Sequence, residues 1–218
     1  MPTYTFRIGE AFPASDPVAR FITVLAMMSN DWLRLFELMR APPSAGSDAD
    51  EEAGVDVMLF RQQAALHQEA AMFIGDTRRR FSEVDRFIKT LPRPAQEGCE
   101  RVVGGIDPTS PHYHDWLAGH RNITFHYPEL HAEKAMHGKE EIANALARAG
   151  KLSGAITHEK SFGSVRFRFA DQVAVQLLPS APEKVQSLAR AMNTLAGFVQ
   201  HAARSYLDAH PPDTFTVH

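Results

Sequence analysis

The sequence predicts a mainly α-helical fold with a small antiparallel β-hairpin or sheet ahead of a long C-terminal helix. Two observations carry this expectation. Apolar residues recur at steps of three and four over long stretches, the spacing that lines one face of a helix. Between residues 151 and 180 the period drops to two, as a half-buried strand requires. The 218 residues suffice for one domain with a sizeable core. The expected organisation is a single domain over residues 1–218: a helical bundle core at 15–150, a β-hairpin element at 151–180, a C-terminal helix at 181–208 and a frayed tail at 209–218.

The stretch YTFRI alternates Tyr4, Phe6 and Ile8 with polar neighbours and predicts a short strand. A helix follows, with Ser15 or Asp16 as N-cap and Pro17 at its first position, where a missing N–H is harmless. Phe21, Val24 or Leu25, Met28, Trp32, Leu35 or Phe36, and Met39 mark its apolar face. Residues 41–52 offer Pro, Gly, Ser and acids with little to bury, and read as a loop. Helical periodicity returns from Val55 to Leu91, with a break or kink expected at Gly75, where Asp76 and Thr77 could cap a new helix. There Phe81, Val84 and Ile88 form a stripe, with Arg79, Arg86 and Lys89 opposite. That basic face is either a solvated helix surface or a phosphate-facing patch.

Residues 91–113 carry four prolines and three glycines and read as a long connector with at most one helical turn. Ser110 and Pro111 then resemble an N-cap and first helical residue, opening a helix through Trp116 and Leu117 towards Pro128. A short helix is expected over 138–150. Val165, Phe167 and Phe169 alternate with Arg166 and Arg168, and Val173, Val175 and Leu177 follow the turn ADQ, which predicts a hairpin. The stretch LSGAIT and the N-terminal strand could extend it. In the last helix Val185, Leu188, Met192, Leu195, Val199, Ala202 and Tyr206 form a heptad-like seam, expected to be bundle core rather than a dimer interface.

Composition narrows function. A net charge of −3 argues against constitutive binding to nucleic-acid backbones, so any RNA contact would need a local basic patch. Cys99 is the only cysteine, which excludes an internal disulfide and multi-cysteine zinc sites. The start MPTYTFRIGE lacks the order of a signal peptide, and the run FITVLAMM is far short of a membrane span. A cytoplasmic protein without a membrane partner is the expectation.

The densest run of reactive side chains is DWLAGHRNITFHYPELH, residues 115–131. Metal binding is one reading, since His112, His114, Asp115, His120, His126, Glu129, His131, Glu133 and His137 are all ligand types. Two histidines share a helical face at i, i+3 or i, i+4, and no neighbouring pair here has that spacing. Some His–acid pairs do, among them His112 with Asp115 and Glu133 with His137. Neither a metal nor another cofactor is expected, and His112, His114, His120 and His131 read as surface or packing residues. No G-x-S-x-G nucleophile elbow occurs.

Within that run RNITFH, residues 121–126, resembles the R-x(4–6)-H signature of the HEPN superfamily (higher eukaryote and prokaryote nucleotide-binding domains). Asn122 directly after Arg121 strengthens the resemblance. Arg61 to His67 and Arg204 to His210 share the spacing but lack the asparagine. Tyr127 follows His126 directly, whereas some members carry a tyrosine two residues after the histidine. The resemblance implies a helical bundle, often homodimeric, and a metal-independent endoribonuclease of the toxin or defence type with Arg121, Asn122 and His126 as catalytic residues. It further implies an RNA substrate and an antitoxin partner. Other members bind a nucleotide or a partner protein without catalysis, and a His-rich metal-dependent enzyme is a third reading.

On a straight helix Asn122 and His126 share a face, so the amide could orient the imidazole. Arg121 lies roughly 140° away at about 100° per residue. A helix break at Gly119, or a two-fold dimer, would bring both groups to one substrate.

Overall fold

A computed structural model describes residues 4–5, 7–40, 49–107, 109–112, 147–149, 156–158, 165–167, 182–211 and 216–217. Its elements are β1 (Tyr4–Thr5), α1 (Ile8–Ala11), α2 (Pro17–Arg40), α3 (Ala49–Arg80), α4 (Ser82–Thr90), α5 (Arg93–Gly104), β2 (Ile156–His158), β3 (Val165–Phe167), α6 (Pro182–Ala209) and β4 (Thr216–Val217). The protein is mainly helical, and no helix among the described residues is long and apolar enough to cross a membrane. The chain divides into two compact units. The first comprises Met1–Leu33, Leu66–Tyr113 and Ala189–His218; the second comprises Arg34–Ala65 and His114–Leu188.

Of the two candidate caps, Asp16 starts α2. Its Oδ1 accepts the Val18 N–H at 2.8 Å, satisfying an amide with no partner inside the helix. Its Oδ2 accepts the Tyr206 hydroxyl at 2.7 Å, joining the start of α2 to the end of α6. Tyr206 is buried and stacks on Phe12 and His210, with Phe87 edge-on. Burial opposes ionisation of Asp16, but the bonds from Tyr206, Val18 and Ala19 outweigh it and hold the carboxyl below its ordinary value. Burial first, and then the bond to Asp16, push the phenol the other way.

The core of the first unit gathers Phe21, Ile22 and Leu25 of α2, Ala71 and Ile74 of α3, and Val84 and Ile88 of α4. Cys99 and Val102 of α5 and Leu195, Phe198, Val199, Ala202 and Tyr206 of α6 complete it. The seam of α6 therefore faces core from Met192 to Tyr206, as expected of a bundle helix. Along α2 the apolar face stops being buried towards the C-terminus: Phe36, Leu38 and Met39 are exposed. In the second unit Val57, Phe60 and Ala64 of α3 are buried at helical spacing.

Three expectations are corrected. Helix α3 runs through Gly75 without a break, and the chain turns at Phe81, which is extended and precedes α4. Gly75 is a packing residue: a Cβ there would lie 3.5 Å from Val103 Cγ1 of α5. The Pro- and Gly-rich connector is largely α5, opening after Pro92 with Pro94 in its first turn. Prolines are harmless there because those amides have no intrahelical acceptor. The tail is tied down, since β4 pairs antiparallel with β1, setting Tyr4 opposite Val217 and Thr5 opposite Thr216. The hairpin expected across the turn ADQ is not seen among the described residues. Strand β3 pairs antiparallel with β2, whose first residues belong to the stretch LSGAIT, Ile156 opposite Phe167 and His158 opposite Val165. Alternation assigns a strand's faces but leaves its partner open. The strand that was to pair with it, Val173 to Leu177, lies outside the described residues, as does the helix expected from Pro111 to Pro128 beyond His112. Of the helix expected over 138–150, residues 147–149 are described and are helical.

Two side chains make the fold sensitive to acid. Tyr206→Phe removes one hydrogen bond to a carboxylate and should cost about 1–2 kcal/mol near neutral pH. Because the Asp16 value is depressed in the fold, its contribution is present above the ordinary value of 3.8 and lost as pH falls below it. Denaturation midpoints should therefore fall less steeply below about pH 4 in Tyr206→Phe than in the wild type.

His67 is fully buried on α3, and burial lowers its pKa to about 4, the backbone groups of Ala191 and of His67 itself acting the other way. The unfolded chain accepts this proton near 6.5 and the folded chain only near 4, so stability is complete above that window and falls through it. The loss is on the order of 3 kcal/mol. His67→Leu should flatten that part of the stability–pH profile.

Candidate anion-binding cleft

The site lies within the first unit and is built from α4, α5 and the turn that follows α5. Val84 and Ile88 turn one face of α4 into the core, which leaves Asp85 and Lys89 towards the surface. In α5 the spacing of Ala95, Cys99 and Val102 buries one face, so Arg93, Glu97, Glu100 and Arg101 point outward. Gln96 joins the two helices: its Nε2 donates to the carbonyls of Leu91 at 2.7 Å and Lys89 at 3.1 Å. These are carbonyls that the end of α4 leaves without helical partners.

Gly104 shapes the far wall. A Cβ there would run into Ser110 Oγ and come within 3.3 Å of His112 Cβ, so glycine lets the turn after α5 fold back onto the helix. Asp107 accepts from the Thr109 N–H at 2.9 Å and from its hydroxyl at 2.7 Å. Ser110 Oγ accepts the His112 N–H at 3.2 Å, the bond expected of an N-cap. Thus His112 is brought to the cleft.

The resulting cleft has a volume of about 660 Å³. Arg78, Lys89, Arg93 and Arg101 line it together with His112, against the carboxylates Glu97 and Glu100. Arg78 reaches from α3 to Asp85 at 3.1 Å and to Glu100 at 2.7 Å. Lys89 pairs with Asp85 at 2.6 Å and Arg93 with Glu97 at 2.9 Å. Arg101 has no acidic partner among the described residues. The bond from Lys89, with Arg78 adding to it, holds the Asp85 carboxyl below the ordinary range, so the pairing persists in mild acid. Under the cleft, burial pushes the Cys99 thiol up to about 12 against the pull of Arg78, which makes it a poor nucleophile.

Fixed cations in a concave surface attract anions, and three guanidinium forks suit phosphate or carboxylate oxygens. The sequence reading reached only part of this. Of the basic face Arg79, Arg86 and Lys89, only Lys89 lines the cleft; Arg79 pairs with Asp76 and Arg86 is exposed. Arg93 and Arg101 were missed because their helix reads as a connector. His112, expected as a surface or packing residue, is a half-buried part of the wall.

Arg121, Asn122 and His126 lie outside the described residues, as do His114, His120, His131 and His137. The two motifs that share the Arg-to-His spacing have ordinary structural roles. His67 is core, while Arg204 pairs with Asp208 and His210 stacks on Tyr206. Among the described residues no group of three or more His, Cys, Asp or Glu could hold a metal ion. No family model, curated protein or solved structure matches this chain.

Arg78 and Arg93 separate structural from ligand-directed charge. Arg78→Met removes the link from α3 to Glu100 and leaves Asp85 with Lys89 alone, and should lower stability by about 1–2 kcal/mol. Arg93→Met breaks an exposed i, i+4 pair and should change it by under about 0.5 kcal/mol. Urea denaturation of the two variants would check this; equal losses would mean that Arg78 holds nothing together.

Proposed function

We propose that the protein binds the phosphate groups of RNA or of a nucleotide in the cleft formed by α4 and α5. The observation that carries this reading is the cleft's lining of four cations, of which Arg101 has no acidic partner among the described residues. The overall charge of −3 does not oppose it, because the field that a ligand meets is local.

The sequence motif supports a further step, in which a HEPN-like protein cleaves bound RNA without a metal. Arg121 and His126 are the residues proposed for it, with Asn122 orienting His126. In that chemistry a ribose 2′-OH loses its proton to a histidine and its oxygen attacks phosphorus. The P–O5′ bond breaks, the leaving oxygen takes a proton, and a 2′,3′-cyclic phosphate and a 5′-OH remain. An arginine fork would stabilise the charge gathering on the non-bridging oxygens. A homodimer carrying two motifs could supply acid and base from different subunits, and a neutralising antitoxin belongs to the same reading. The mainly helical architecture is compatible with it. The non-catalytic alternative keeps the cleft and dispenses with the motif.

Two measurements separate these. Labelled RNA should bind with an affinity that falls steeply with salt and should weaken several-fold in Lys89→Ala. RNA should also be cut in the presence of EDTA by the wild type and left intact by folded His126→Ala. Binding without cleavage selects the non-catalytic module, and no binding at low salt rejects the phosphate reading.

A further inference from the structure

A second concavity, of about 330 Å³, lies on the other side of α5, between that helix and α6. Glu97 and Arg101 line both clefts. They are one helical turn apart, so together they form a ridge along α5 with a cleft on each flank. Glu97 is occupied by Arg93, whereas Arg101 has no acidic partner among the described residues.

The two flanks differ in chemistry. The first is rich in cations. The second adds only uncharged or weakly basic polar groups, Asn193, Thr194 and His201 of α6. Its floor is cut away by glycine on both helices. A Cβ at Gly98 would touch Thr194 and Phe198, which allows α5 and α6 to approach closely, while a Cβ at Gly197 would meet nothing within 4 Å. In mid-helix Gly197 is a costly choice, about 1 kcal/mol worse than alanine, and the space above it is open.

We infer that the two clefts form one path for a single-stranded oligonucleotide: a phosphate sits in the first, Arg101 holds the backbone on the ridge, and the adjoining nucleoside lies over Gly197 in the second. This rests on the phosphate reading above and deepens it by naming the ligand as a strand rather than a mononucleotide. Arginine suits the ridge because its planar fork offers five N–H donors, enough to contact oxygens on both sides. Asn193 and His201 present donors and acceptors to a base edge or a sugar hydroxyl, as recognition of unpaired nucleotides requires. A duplex would not fit, because its paired bases face inward and cannot be laid into a side cleft.

The test compares octauridylate, uridine monophosphate and an octamer duplex by fluorescence anisotropy or competition with the full chain. Gly197→Glu fills the second cleft with a negative side chain at a position that has room for it, and Gly197→Ala controls for the loss of glycine. Octauridylate binding should weaken about tenfold or more in Gly197→Glu and in Arg101→Ala. Uridine monophosphate should weaken in Arg101→Ala and Lys89→Ala and be unchanged in Gly197→Glu. Melting temperatures at or above the wild-type value would show that both Gly197 variants are folded. Octauridylate binding that ignores Gly197→Glu but falls in Lys89→Ala confines the strand to the first cleft and overturns the path, leaving the phosphate reading intact. A duplex bound as tightly as the single strand also overturns it. If neither ligand binds the wild type, or Lys89→Ala affects neither, the phosphate reading fails and the path falls with it.

Discussion

One guanidinium holds three helices together. Arg78 leaves the last turn of α3, reaches Asp85 on α4 and Glu100 on α5, and lies 3.8 Å from the Cys99 sulfur. Three consecutive arginines end α3, a placement favoured by the negative end of the helix dipole. Among the described residues, Arg78 alone of the three is drawn inward to acidic partners on other helices; Arg79 is highly exposed and pairs within its own helix. Asp85 also accepts Lys89, so a single carboxylate restrains two cations of the cleft. The geometry of the cleft therefore follows from the way its own lining residues Arg78, Lys89 and Glu100 tie α3, α4 and α5 together.

The elements that could be read from the sequence are those whose apolar spacing is long and uninterrupted. In α6 the steps of three and four persist across several turns, and Met192 through Tyr206 are buried as that spacing requires. The start of α2 was legible for a different reason, because Asp16–Pro17 is a local capping signal that needs no tertiary information. The failures share a cause. Gly75, Gly98 and Gly104 look like breaks because glycine weakens helices, yet each is a place where another part of the chain approaches closely. Ala95, Cys99 and Val102 do carry helical spacing, and the prolines around them concealed it. The pairings of β1 with β4 and of β2 with β3 depend on which segments meet, and alternation does not encode that.

The candidate site was legible to a smaller degree, and for the same reason. Lys89 stood out because its helix was recognised. Arg93 and Arg101 became a cationic face only once α5 existed. Arg61 with His67 and Arg204 with His210 fall within the same R-x(4–6)-H range as Arg121 with His126, and burial or stacking accounts for both histidines. Spacing along a chain says nothing about exposure, and a group that must touch substrate has to be exposed. Asn122 distinguishes its motif chemically, which spacing alone could not do.

The balance of charge in the cleft also bears on how a ligand would be held. Arg78 and Arg93 already have carboxylate partners, so an incoming phosphate must share or displace Glu100 and Glu97. That exchange limits the net gain from these two cations, but the carboxylates keep both guanidinium groups in place before the ligand arrives. Arg101 has no acidic partner to exchange among the described residues, so its interaction with an anion is the least offset of the set there. Three tethered cations beside Arg101, which is untethered among the described residues, should favour ligands with several spaced phosphates over a small anion. A small anion gains little beyond Arg101, whereas a chain can satisfy Arg101 and still draw on the oriented cations beside it.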